Sequence, residues 1–291
     1  MRLGRDDPRH KHGAATVLAI DPNPPAFLSE VARQLAPMRQ QFNYDSMMGA
    51  YTNIDRFLNW VGVVDQIRSV KGGRVLASGC GAGGSLAAYH AMGALEVVGL
   101  EVDADLHRLS DLRAQALPGV QAVLYDGQRI PFDDGYFHVV ESLDVVEHVA
   151  DPHAYLAEIA RVLAPDGSAF VAIPNRLYPV EQHTGVPLVP WLPLRPTNTA
   201  VTAYAHLPWV TGDHYFKVLS VRNVRTCNVS WRSLVALAGS VGLTAHRIHR
   251  GDHPECWPFP PDGAAVEWLA RRRGGASVSP TRQLVAQLRP A

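Results

Sequence analysis

Apolar side chains recur at helical spacing near the start of the chain. Phe27, Leu28, Val31, Leu35 and Met38 predict a helix from Ala26 to about Phe42, and Ile54, Phe57, Leu58, Val61, Val64 and Ile67 predict a second from about Thr52 to Val70. The period then changes. Arg74-Val75-Leu76-Ala77-Ser78 reads as a buried strand, and Glu96–Glu101, Gln121–Tyr125, Tyr136–Glu141 and Ala169–Ile173 read as further strands. Helical patterns near Ser85–Met92, Ala104–Gln115 and Pro152–Leu163 separate them. Strands alternating with helices over short connections predict an α/β fold. The expected architecture is a Rossmann-like, mostly parallel seven-stranded sheet with helices on both faces.

Beyond Ile173 the alternation stops. Residues 174–229 carry Pro174, Pro179, Pro187, Pro190, Pro193, Pro196 and Pro208 among Tyr178, Trp191, Tyr204, Trp209, Tyr215 and Phe216. Proline at this density excludes long helices and central strands, and an irregular stretch of such length is expected to be a functional lid. A helix near Ser230–Val241 and a strand near Thr244–His249 resume the pattern. The expected organisation is a flexible arm (1–24), an N-terminal helical cap (25–70), a core domain (71–270) carrying the lid 174–229, and a flexible tail (271–291). No internal repeat is visible.

Charge narrows the partners. The 27 basic and 27 acidic side chains cancel, so no large field favours nucleic acid or an anionic membrane. No apolar stretch reaches the roughly 18 residues of a membrane span, and the polar start Met1–Gly13 does not read as a secretory signal. Cys80, Cys227 and Cys256 are too few and too scattered for a disulfide framework or a zinc ribbon. A cytoplasmic protein is expected. A homodimer is possible.

The chemistry gathers after the first strand. Gly79-Cys80-Gly81-Ala82-Gly83-Gly84 lies between strand and helix, where glycine lets backbone turn tightly and approach a ligand. Glu101 ends the second strand, placed to accept from both hydroxyls of a ribose, a feature shared with nicotinamide-binding proteins. Asp126 follows the third strand in Asp126-Gly127-Gln128-Arg129-Ile130-Pro131-Phe132, placed to accept from an adenine amino group. The fourth strand leads into Leu143-Asp144-Val145-Val146-Glu147-His148-Val149, and Leu163-Ala164-Pro165-Asp166-Gly167 precedes the fifth.

Taken together these motifs resemble the class I S-adenosylmethionine-dependent methyltransferases, in the branch that methylates small molecules and quinone precursors. The resemblance covers roughly residues 70–175, and 230–250 more loosely. It implies S-adenosylmethionine as cofactor. The loop Gly79, Cys80, Gly81 and Gly83 would hold the methionine part and Glu101 the ribose. Val102 would pack on the adenine, Asp126 and Gly127 would read its edge, and Ser142 would line the sulfonium end. Relatives meet the cofactor's carboxylate with an Arg or Tyr from N-terminal helices; Arg56 is the candidate here, beside Tyr44 and Tyr51. Two positions depart from the pattern. Ala77 stands where the family usually has an acid that accepts near the cofactor's amino group, and His138 replaces the usual Asp opening the fourth strand.

Methyl transfer from a sulfonium needs in-line positioning above all, and a base where the acceptor must lose a proton. Candidate catalytic residues are His148 and Asp144 after the fourth strand, and Glu181 and His183 in the insertion. The plainer alternatives are a structural His148 and a loop that hydrogen-bonds itself. Asp144, Glu147 and His148 are donor types suited to a divalent ion if they converge, although no metal site is expected. Arg176 could hold an anionic acceptor, and Asp213-His214-Tyr215 lies in the same insertion. The aromatics of 174–229 suit an apolar pocket, and without a basic stripe they do not suit base stacking. A small organic acceptor follows: a specialised metabolite, a sugar, or a phenol or quinone type. Two rival functions stay open. One is a catalytically silent cofactor-binding partner subunit, which Ala77 would suit. The other is a nicotinamide-dependent oxidoreductase, which the Gly-x-Gly-x-Gly-Gly spacing and three lysines oppose.

Overall fold

The computed structural model describes residues 21–38, 44–175, 177–180, 191, 199, 202–204, 206–210, 229–259 and 283–291. In chain order these form α1 (Pro25–Gln34), α2 (Tyr44–Thr52), α3 (Asp55–Ile67), β1 (Arg74–Ser78), α4 (Gly84–Ala91), β2 (Glu96–Glu101), α5 (Ala104–Ala114) and β3 (Val120–Leu124). There follow β4 (Phe137–Leu143), α6 (Pro152–Val162), β5 (Leu163–Pro174), α7 (Trp231–Ser240), β6 (Leu243–Arg247) and β7 (Gln283–Pro290).

The seven strands make one sheet in the order β3-β2-β1-β4-β5-β7-β6. Six strands run in one direction, β1 to β5 pairing in parallel, and β7 alone is reversed, antiparallel to both β5 and β6. Strand alternation feeds two cores. Leu76, Val98, Val140 and Val171 point to α6 and α7, meeting Leu156, Ile159, Leu234 and Ala238. Val75, Val97, Val139 and Phe170 point the other way, to Trp60, Val61 and Val64 of α3 and Leu86 and Tyr89 of α4. The strand order reverses between β1 and β4, so the carboxyl ends of these two strands bound the crevice where such sheets bind ligands.

Three expectations are corrected. The tail expected to be flexible from 271 onward holds β7 over Gln283–Pro290. Leu284, Ala286 and Leu288 pack on one face and Val285 on the other, because β7 lies inside the sheet between β5 and β6 and is covered on both sides. The first helix stops at Gln34 rather than near Phe42, and a 3-10 turn, Ala36–Met38, follows; Pro37 disfavours helical backbone at the residue before it. The additional helix α2 is only weakly amphipathic, and its Met47, Met48 and Tyr51 pack against Phe27 and Val31 of α1. Of the insertion 174–229, most residues, Glu181 and His183 included, lie outside the described residues, as does the arm over 1–20.

The cap is bolted to the sheet through Arg113 of α5, which is fully buried. Its Nε donates to Pro22 O at 2.7 Å, Nη1 to Ala82 O at 2.6 Å, and Nη2 to Asn23 Oδ1 at 2.6 Å and Tyr51 O at 2.9 Å. The guanidinium also lies 4.0 Å from the Phe27 ring centre. One side chain therefore ties the chain entering α1, the last turn of α2 and the glycine-rich loop together. Burial lowers its pKa to about 10, which still leaves it charged at neutral pH. A lysine offers one compact donor group and cannot span four divergent acceptors. Arg113→Lys is expected to lower stability by about 2–3 kcal/mol, since each lost bond strands a buried acceptor. Denaturant unfolding checks this; a loss under about 0.5 kcal/mol would show that the cap is held otherwise.

Candidate active site

A cavity of about 320 Å³ opens at the carboxyl ends of β1 and β4. The loop after β1 forms its floor, with Gly79, Cys80, Gly81 and Ala82 on the wall, and Gly84 and Ser85 of α4 follow. The cap supplies Tyr51, Arg56 and Phe57, and β4 with the residue after it supplies Glu141, Leu143 and Asp144. The volume lies at the lower end of the roughly 300–1,000 Å³ usual for small-molecule pockets.

The loop has this shape for steric reasons. Gly79 has φ +73°, and a Cβ there would strike Val145. A Cβ on Gly84 would enter the Phe57 ring, so this glycine lets the cap close onto the first turn of α4. Above Gly81 the space is open, with nothing within 4 Å of a Cβ position. The amides of Gly79 and Cys80 both donate to Leu100 O, at 2.9 and 3.0 Å, which docks the loop on β2.

Glu101 completes that docking. Its Oε2 accepts from the Gly81 amide at 2.8 Å, and its Oε1 accepts from the amides of Val102 and Asp103 at 2.8 and 3.0 Å. A carboxylate has about four acceptor positions, so this one orders the loop and keeps capacity for a further donor. Val102 is 58% exposed, and a Cβ on Gly127 would sit 3.4 Å from its Cγ1. Asp126 is exposed and accepts the Gln128 amide at 2.8 Å through Oδ1. Glu101, Val102, Asp126 and Gly127 thus stand at the ends of β2 and β3, next to the cavity rather than on its wall.

Cys80 is on the wall but buried, and burial pushes its thiol up to about 12, so it is neutral at physiological pH. Arg56 reaches the cavity from α3, with Nη2 3.2 Å from Asp144 Oδ2 and its guanidinium 5.9 Å from the Phe259 ring centre. Asp144 also accepts from Gln283 Nε2 at 2.8 Å, so β7 reaches the rim. Asp144 has φ 53°, the sole positive φ among the described non-glycine residues, a strain that tends to sit at functional positions.

Other expected positions differ. Ser142 does not line the cavity. Strand alternation turns it to the α6 face, where it is buried and its hydroxyl bonds that of Tyr155 at 2.9 Å; Leu143 occupies the wall instead. His148 lies in the turn after β4, its side chain 40% exposed and its Nε2 4.0 Å from Glu147 Oε1, and it is not on the cavity wall. Asp144, Glu147 and His148 do not converge: no group of three or more His, Cys, Asp or Glu among the described residues could hold a metal ion. No helix among these residues is long and apolar enough to cross a membrane.

Sequence reasoning passed over Glu141. It is buried within β4, in contact with the cavity, and Tyr89, Ser85 and Trp60 surround it. Its Oε2 nevertheless completes no hydrogen bond of good geometry. Burial raises its carboxyl to about 7, against the opposing pull of those neighbours and of Arg56. The available signal was an acid inside the run Val139-Val140-Glu141-Ser142-Leu143, since a buried acid in a central strand is seldom there for packing.

An adenosyl sulfonium amino acid fits these residues. The open space over Gly81, the buried Oε2 of Glu141 and the Arg56 guanidinium face one cavity, and Glu101 flanks it.

The Glu141 shift predicts a pH dependence of stability. Between about pH 4.5 and 7 the folded chain retains a proton that the unfolded chain has lost, so stability falls as pH rises through this window. The groups facing Glu141 are Arg56 of α3 and Tyr89 of α4, while its register neighbours Ala77 and Phe170 carry no charge. Relative to Glu141→Gln, the ligand-free wild type should lose up to about 3 kcal/mol between pH 4.5 and 8. Parallel stability profiles of the two proteins would contradict this.

Comparison with known proteins agrees with the geometry. Residues 76–171 match the family model described as a methyltransferase domain. The chloroplastic tocopherol O-methyltransferase of Arabidopsis thaliana is 31% identical over 121 residues, covering 40% of this chain and 35% of that protein. A ubiquinone biosynthesis O-methyltransferase of Maricaulis maris is 34% identical over 116 residues, covering 38% and 43%. The chain thus spans less than half the length of these curated relatives. In fold it is similar to an S-adenosylmethionine-dependent methyltransferase from Mesorhizobium loti, with TM-score 0.53 and 16% identity over 81% of this chain and 100% of that one. The glycine loop after β1, the acid ending β2 and the reversal of strand order between them and β4 fall within or beside residues 76–171, the segment that matches the methyltransferase domain.

Proposed function

We propose that this protein transfers a methyl group from S-adenosylmethionine to a small organic acceptor. The observation that carries the reading is the glycine loop, held in shape by Glu101 and opening on a cavity of about 320 Å³. Relatives named for tocopherol and ubiquinone synthesis favour a phenol or quinol acceptor and methylation at oxygen.

When bound, the cofactor supplies an electrophilic methyl carbon on a sulfonium. The chain's part is to bind and align. Glu101 accepts from a ribose hydroxyl through the acceptor position its backbone bonds leave open, Val102 and Gly127 enclose the adenine, and Asp126 accepts from its edge. Gly79, Cys80, Gly81 and Gly83 bring backbone against the amino-acid end, and the eight-residue helix α4 directs its free amides there. Arg56 takes the carboxylate. A guanidinium already loaded by Asp144 exchanges one carboxylate for another, so Asp144 acts as a placeholder.

A phenolic acceptor must lose a proton as its oxygen is methylated. His148, with an exposed ring, and Glu181 and His183 of the insertion remain the proposed bases. Asp144 joins them as a candidate, since its Oδ2 is freed once Arg56 turns to the cofactor while its Oδ1 still accepts from Gln283. The insertion 174–229 is proposed as the lid that excludes water over the acceptor.

Incubation with labelled methyl donor and a panel of catechols, quinols and sugars tests the reading. Transfer to a phenolic oxygen is expected. Cofactor binding without transfer to any acceptor would favour a silent subunit. Glu101→Ala should weaken binding of the demethylated product by about 1–3 kcal/mol, the loss of charge-assisted hydrogen bonds. An unchanged dissociation constant would remove Glu101 from the ribose.

A further inference from the structure

The cavity that would hold the cofactor's amino-acid end needs one cation and one anion, because that end carries a carboxylate and an ammonium. Arg56 supplies the cation. On the β1 side the anion is missing, since Ala77 offers only a methyl group. The sheet register supplies one from the neighbouring strand. Ala77 and Glu141 are direct partners in the parallel β1–β4 ladder, so their side chains leave the sheet side by side on the same face. An acid at 141 with a small residue at 77 puts its carboxylate in the space that a longer side chain on β1 would fill.

Resting on the proposed cofactor reading, we propose that Glu141 is the carboxylate that receives the ammonium of the cofactor's amino-acid end. Two observations support it. Glu141 is 3% exposed and forms part of the cavity wall, where it shares the pocket with Ser85 on the first turn of α4. Its Oε2 completes no hydrogen bond of good geometry, although the donors of Tyr89, Ser85 and Trp60 lie close enough to pull on the carboxyl, so the carboxylate sits in a donor-lined pocket with an acceptor not fully used. A buried carboxylate with an open acceptor is costly unless a donor arrives, and an ammonium is the donor that both neutralises the charge and fills the lone pairs. Arg56 and Glu141 then hold the zwitterion from opposite ends.

Ammonium recognition is separable from adenosine recognition by changing the ligand. S-Adenosylhomocysteine keeps the ammonium and has a neutral thioether, which removes the sulfonium from the comparison. Its deamino analogue keeps the carboxylate and loses only the ammonium. Calorimetric titration of wild type and Glu141→Gln with both compounds gives a four-cornered cycle. Wild type is expected to bind the amino compound about ten- to a hundredfold more tightly than the deamino compound. In Glu141→Gln that preference should shrink to about threefold or less, with affinity for the deamino compound within about twofold of wild type. The deamino titration also reports that the variant's pocket is folded. A preference that survives in Glu141→Gln overturns the assignment while leaving the cofactor reading intact. Unchanged binding of both compounds with lost turnover also overturns it, making Glu141 a proton acceptor in the reaction. Failure of wild type to bind either compound overturns the cofactor reading and this inference together.

Discussion

A single buried guanidinium holds the working parts of this molecule in register. Among the described residues Arg113 has no carboxylate partner; its donors go to three backbone carbonyls and an asparagine oxygen, drawn from the chain before α1, the end of α2 and the glycine loop. Neutral acceptors in fixed positions let a charge be buried without a second charge whose desolvation would have to be met. The consequence is positional. Tyr51, Arg56 and Phe57 become walls of a cavity whose floor belongs to the sheet domain. The cap and the loop are one site because one side chain addresses both.

The charges around the cavity then divide by role. Glu101 faces backbone amides and shapes the loop. Arg56 and Asp144 satisfy each other at the rim, where exchange with an incoming carboxylate is cheap in structural terms. Glu141 lines the cavity as a buried acid whose Oε2 completes no hydrogen bond of good geometry. Such a layout distinguishes a group that builds the site from groups that wait for a ligand. The relatives' names bear on the acceptor, whereas these charges bear on the donor, and the two inferences rest on separate observations.

Much of the fold was legible because local pattern and tertiary role coincide in the parallel half. Both faces of β1 and β2 are covered, so they read as compact apolar runs with sharp ends, and their expected limits match the observed strands. The same covering hid β7. A short apolar run after a Gly-, Ser- and Pro-bearing stretch looks like a tail, and its partner β5 is more than a hundred residues away, beyond any local signal. The position of Glu101 followed from spacing to the glycines, since strand length sets that distance. Glu141 and Ser142 did not follow, because their functions depend on which face each occupies. A one-residue phase decides whether a side chain meets the cavity or α6, and the ladder to β1 fixes that phase. Arg113 was illegible for a similar reason: its acceptors are backbone oxygens, which carry no mark in the sequence.

The central claim is that the carboxyl edge of β1, β2 and β4 grips an adenosyl amino acid. A crystal structure with S-adenosylhomocysteine bound tests it most directly. The account predicts the purine beside Val102 and Gly127, a ribose hydroxyl on Glu101 and the amino-acid end in the cavity between Arg56 and Glu141. Well-ordered ligand seated elsewhere on the sheet, with the space above Gly81 empty, would contradict it.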